Sequence, residues 1–133
     1  MLANGATLTV KVDGAVKALA GLKEIPELGA DPELVENTCL TDQTKKYEMG
    51  IGDLGNVAYV FKYDNSSEDT AYRILRGLDS SQSYEFTETL KDGTKSVFSA
   101  QPSVKRGGGG VNGVLDFTLS LAVTSEIAIT DPA

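Results

Sequence analysis

Residues 25–63 read IPELGADPELVENTCLTDQTKKYEMGIGDLGNVAYVFKY. The stretch begins as a broken strand over 23–28, because Pro26 has no N–H to give to a ladder and belongs on an edge or at a bulge. Asp31-Pro32 turns the chain into a second strand over 33–40. A polar loop over 41–56 follows, with Gly50, Gly52 and Gly55 punctuating its end. Val57, Tyr59, Phe61 and Tyr63 then form one apolar row, while Ala58 and Val60 make the opposite face partly apolar. That pattern predicts a central strand covered on both sides. A loop of this length is uncommon inside a small domain unless it has a function. The expected function is contact with another subunit.

Working outward toward the N-terminus, Leu8, Val10 and Val12 alternate with Thr7, Thr9 and Lys11, the period of a strand with one buried face. Asp13-Gly14 is a turn signal, and residues 15–19 return as a second short strand. Toward the C-terminus, residues 64–69 read as a helix start. Asn65 or Ser66 is placed to cap it, and Glu68 and Asp69 sit where the helix dipole favours carboxylates. Ala71, Ile74, Leu75 and Leu78 follow the i, i+3, i+4, i+7 spacing of one apolar stripe. A helix of about three turns is marginal in water, so it is expected to pack on a sheet.

Tyr84 and Phe86 begin a hairpin that turns at Asp92-Gly93 and returns over 95–101. Leu115, Phe117, Leu119, Leu121 and Val123 alternate with Asp116, Thr118 and Ser120, the clearest amphipathic strand in the chain. Ile127 and Ile129 suggest a last short strand. No internal repeat is visible. The expected fold class is mainly β: an antiparallel β-sandwich or flattened barrel with one flanking α-helix, forming a single domain over 1–133.

The composition fits that expectation. The chain has 133 residues, 41% of them hydrophobic and 23% charged, in line with one ordered globular domain. Its 19 acidic and 12 basic residues give a net charge of −7. Such a surface is a poor candidate for gripping nucleic acid, which needs clustered Lys and Arg. The single cysteine, Cys39, has no partner for an internal disulfide and reads as a small buried hydrophobe. Residues 1–5 lack the basic and apolar regions of a signal peptide, and no apolar run approaches the ~20 residues that span a bilayer. The expectation is a protein made in the cytoplasm, with no membrane partner.

Candidate chemistry is sparse. Histidine is absent, which removes a Ser-His-Asp triad and most zinc sites. The run Gly107 to Gly110 is not a phosphate loop, because no Gly-Lys-Ser or Gly-Lys-Thr follows it; it reads as a connection between strands. Residues 64–69 lack the central glycine of a calcium loop, and Leu75 stands where the bidentate glutamate belongs. Tyr47, Tyr59, Tyr63, Tyr72 and Tyr84 read as core and edge packing, with a sugar-stacking site as the competing reading. No catalytic residue, cofactor or metal site is expected, and the chain does not read as an enzyme.

Several degenerate motifs fall in a definite order. Gly29 closes a first strand. Val35-Glu36-Asn37-Thr38 gives an apolar-acidic-x-Thr step, followed by the acidic segment Leu40-Thr41-Asp42. Tyr47, Gly50 and Asp53-Leu54-Gly55 punctuate the loop. Phe61-Lys62-Tyr63-Asp64 ends an aromatic strand, the helix with Tyr72 and Leu75 comes next, and a glycine-rich turn precedes the long alternating strand. This order resembles the major tail protein (tail tube protein) family of long-tailed bacteriophages over most of the chain. Cys39-Leu40 after the threonine departs from the commoner pattern.

The resemblance implies hexameric rings stacked into a hollow tube, in which strands of neighbouring copies join edge to edge into one inner barrel. It implies a place in the virion, assembly in the host bacterial cytoplasm, and tape measure, terminator and distal tail proteins as partners. DNA would pass through the lumen without specific binding. The loop over 41–56, with Tyr47 in it, would then cross to a neighbour, with Lys45 and Lys46 meeting acidic surface there and Met49, Ile51 and Leu54 as the buried contacts. Each of those apolar side chains would contribute roughly 1.5–3 kcal/mol if fully covered. Glu85, Glu88 and Asp116, read as lying on polar strand faces, are the lumen candidates. Their field would act only within about 8 Å at physiological salt. The competing readings are another ring-forming phage protein, such as a tail terminator or connector, and a β-sandwich carbohydrate- or ligand-binding module.

Overall fold

A computed structural model describes residues 2–29, 34–36, 47–49 and 56–132. Its main body is one antiparallel sheet built from β1 (Thr7–Val12), β2 (Ala15–Leu19), β3 (Leu22–Glu24), β6 (Asn56–Lys62), β7 (Tyr84–Thr89), β8 (Lys95–Arg106), β9 (Asp116–Val123) and β10 (Ala128–Thr130). The strand order is β2-β1-β7-β8-β9-β6-β3, and β10 pairs with β8 beyond the end of β9. The sheet curls into a half-barrel around its own apolar face. A separate two-stranded ribbon joins β4 (Leu34–Glu36) to β5 (Tyr47–Met49).

The mainly β expectation holds, and of its two forms the single curled sheet is the barrel-like one. Alternation decides what lies inside. In β9, Phe117, Leu119 and Leu121 are all buried, and their partners in β6, Phe61, Tyr59 and Val57, are buried with them. Phe61 and Phe117 stack directly across the ladder with centroids 5.1 Å apart, and Phe86 and Phe98 do the same at 6.2 Å. Such pairs contribute ≈ 0.5–1.5 kcal/mol beyond the area they bury. The second apolar face expected for β6 is not covered: Ala58 is exposed and Val60 only half-buried.

The helix is shorter and later than its sequence suggests. α1 runs Ala71–Arg76, with Thr70 at the N-cap and no side-chain cap hydrogen bond. Residues 64–69 form local turns instead. The Ser66 N–H donates to Asp64 Oδ1 at 3.0 Å, and the Asp69 N–H donates to Ser67 Oγ at 3.3 Å. Asp and Ser side chains offer the backbone these alternatives to a helical turn. The apolar stripe survives in the remaining piece, where Ala71 and Leu75 are buried and Ile74 and Leu78 pack at the margin of the core.

Strand β8 runs five residues beyond its expected end and contains Pro102. The geometry explains why proline is tolerated. The Ser99 N–H and carbonyl both point toward the β9 side, to Ser125 and Thr124. Backbone groups alternate in direction along a strand, so the nitrogen of Pro102 points toward the β7 side. β7 has already ended there, at the Tyr84–Ala100 pair. Strand β3 ends before Pro26, and its pairing with β6 carries an irregularity between Leu22 and Glu24.

The candidate assembly surface

The central strands of the curled sheet each have one face in the core and one turned outward. Spacing along β7 separates the expected lumen carboxylates. Glu85 is exposed on the outward face, in register with Lys11 of β1. Asp116 lies on the same outward face, and both of its carboxylate oxygens accept from Lys23 Nζ at 3.1 Å. Glu88 is three residues from Glu85, an odd step that turns it to the other face of the strand. It stands beside Phe86 in the core and is only 4% exposed. The expectation that Glu88 faces a solvent-filled lumen is therefore corrected.

Inside the half-barrel, Glu88 Oε2 accepts a 2.5 Å hydrogen bond from the hydroxyl of fully buried Tyr59. Burial pushes the Glu88 carboxyl above the usual carboxylate range, against a smaller downward pull from that hydroxyl. Burial, and then Glu88 itself, hold the Tyr59 hydroxyl far above the usual tyrosine range. The pair is sealed from solvent, so no substrate reaches it. Periodicity in β7 could have flagged it, because Tyr84, Phe86 and Glu88 share one face.

Two of the expected inter-subunit residues fall on the β4–β5 ribbon. Tyr47 and Met49 belong to β5, in register with Glu36 and Leu34 of β4. The segment expected as loop thus carries a strand in its middle. Lys45, Lys46, Ile51 and Leu54 lie outside the described residues.

The borders of the main sheet complete the surface. β2 and β3 stand at opposite ends of the strand order, and no ladder joins them among the described residues. They are nevertheless consecutive in sequence, linked only by Ala20 and Gly21. The Lys62 N–H donates to the Gly21 carbonyl at 2.8 Å, which anchors that corner to β6. Gly21 has φ +87°, a conformation that disfavours a side chain. Four of the five β2 residues are exposed, including Val16 at 69%. A groove of about 590 Å³ runs between residues 3–6 and residues 22–25, at the β3 border. The glycine-rich connection between β8 and β9 is exposed and carries Val111 at its tip, fully open to solvent. The Gly107 N–H donates to the Asp116 carbonyl at 2.7 Å and holds the base of this connection.

No protein-family profile and no curated protein sequence matches the chain. Solved structures do match its fold along nearly its whole length. A chain from the baseplate of the anti-feeding prophage, solved with 6-fold symmetry, superposes with a TM-score of 0.75 at 16% identity, covering 98% of this chain and 95% of that one. A chain from the tail of an empty GTA particle, refined with C6 symmetry, gives 0.70 at 20% identity over 96% and 98%. A chain from the sheath/tube terminator structure of the PVC extracellular contractile injection system gives 0.75 at 10% identity over 98% and 96%. The fold is therefore tail tube-like.

Proposed function

We propose that the chain is the structural subunit of a phage tail tube, polymerising as stacked hexameric rings around a lumen through which DNA passes during ejection. The observation that carries this reading is an incomplete sheet. β2 and β3 are borders without a ladder on their outer flanks among the described residues. Such borders expose backbone donors and acceptors that a protein must protect or use. Closing a ring of copies uses them and removes the edges. The β4–β5 ribbon adds a second argument, because an isolated two-stranded ribbon is marginal in water and gains stability by packing on something else. Likeness in fold to chains from six-fold assemblies supports the choice of ring.

On this reading residues 1–133 act as one tail-tube unit in the virion, assembled in the host cytoplasm. Tape measure, terminator and distal tail proteins are its partners. The ribbon and its flanks, with Lys45, Lys46, Tyr47, Met49, Ile51 and Leu54, reach a neighbour. Glu85 and Asp116 remain lumen candidates on the outward face. Each has a lysine beside it, so each presents DNA with a screened, short-range field.

Electron microscopy of the purified protein across salt and concentration tests the proposal. Rings or tubes are expected, and compact monomers under every condition would count against it. Deleting residues 45–52 should leave a folded monomer that no longer polymerises, and unchanged tubes would refute the role given to that segment. A terminator is the second reading, favoured by the equally good superposition on the sheath/tube terminator structure. It would stop at one ring, so the length of the imaged particles separates the two.

A further inference from the structure

Tyr59 and Glu88 meet although their strands are not neighbours. In the order β7-β8-β9-β6, two strands lie between them. In a flat sheet, three strand spacings would hold the two side chains about 14 Å apart. Their 2.5 Å contact therefore exists only because the sheet is curled. The geometry points to a proton-sensitive latch: the Tyr59–Glu88 hydrogen bond clasps the curl of the half-barrel, and the cost of keeping an ionised Glu88 out of water opens it. This inference is independent of how copies of the chain assemble.

The surroundings of Glu88 explain the sensitivity. Leu8 of β1 and Ser96 of β8 stand directly in register with it. Leu19 of β2 follows Leu8 in the same row, and Ile129 of β10 follows Ser96. β6 supplies Tyr59, and α1 buries only Ala71 and Leu75. None of these groups carries a positive charge. Among the described residues, Tyr59 is the only titratable group that acts on Glu88. Among the described residues a carboxylate formed here has one donor and no cation, and burying an unpaired charge is costly.

The direction follows from linkage. The carboxyl is held above its ordinary value of 4.5. An acid raised on folding stabilises the folded chain fully below its ordinary value, and that stabilisation is lost as pH rises through the raised one. Tyr59 stays protonated throughout, so Glu88 is the member that titrates. The curl is tight in mild acid and looser above it.

The full chain provides the test. Melting temperature is followed between about pH 4 and about pH 8 for the wild type and for Glu88→Gln, which keeps an acceptor for Tyr59 and cannot ionise. In parallel, spin labels at Ala58→Cys and Glu85→Cys, in a Cys39→Ser background, read the distance between β6 and β7 on the outward face. The wild-type melting temperature is expected to fall by several degrees as pH rises, with a shift in the label distance. Glu88→Gln is expected to remove the Glu88 contribution to both and to melt higher at neutral pH. Equal pH dependence in the two proteins, or a label distance that does not move in the wild type, overturns the latch. Carbon-13 titration of the Glu88 carboxyl is a check that needs no variant: an elevated midpoint is expected, and an ordinary one overturns the proposal. Tyr59→Phe should raise that midpoint further, and an unmoved midpoint would show that the clasp is not made.

Discussion

Strands β9 and β2 lie in the same sheet and show opposite solutions to the same problem. β9 has a ladder on each side, and its Phe117, Leu119 and Leu121 are buried almost completely. β2 has a single ladder, to β1, and only Leu19 of its five residues is buried. The first strand is finished by its own chain. The second is stable enough to form but leaves its outer backbone and an exposed Val16 unpartnered among the described residues. One molecule thus separates a region that supplies stability from one that offers a surface.

That contrast predicts a gradient of effects on stability. Leu119→Ala empties the middle of β9 and should cost about 2–5 kcal/mol, read as a lower urea midpoint with unchanged slope. A loss below 1 kcal/mol would mean the centre of the sheet is loosely packed. Leu75→Ala removes the buried anchor of α1, a helix of 6 residues that has little stability of its own. It should cost roughly 2–3 kcal/mol, with loss of protection in α1 measured by hydrogen exchange. Lys23→Ala breaks the ion pair to Asp116 on a partly exposed surface and should cost ~0–1 kcal/mol, fading as salt is added. Val16→Lys should change stability by no more than about 0.5 kcal/mol yet suppress ring formation in micrographs. A large destabilisation from Val16→Lys would show that β2 is core after all.

The sequence carried the interior of the sheet better than its borders. Alternation in 115–123 and 57–63 identified β9 and β6 because each strand faces the core along one side only. It placed Leu8 and Val10 correctly for the same reason. Residues 64–69 misled because Asp64, Ser66 and Ser67 can cap a helix or close a tight turn, and only the packing of Ala71 and Leu75 decides where the helix starts. The strand expected over 95–101 continues to Arg106 and includes Pro102. The proline nitrogen faces a flank vacated by β7, a fact that depends on where a distant strand stops. Glu88 was read by residue type, and its position two residues beyond Phe86 was the better guide. Of the expected inter-subunit contacts, only Tyr47 and Met49 lie within the described residues, so the sequence reading of the others stands as a proposal.

The pairings of β6 have a consequence for how the molecule is made. Tyr59 is laddered to Leu119, and Thr9 to Thr87, so early strands wait for partners encoded much later. Pairing at such separations is intrinsically slow, because a long loop must close before contacts repay it. While the ribosome is still translating the middle of the message, β6 has only the short β3 to pair with, and the concave core has no wall at β9. The border hairpin β1–β2 can pair early, but the nascent polypeptide cannot acquire its full curvature until the final third has emerged.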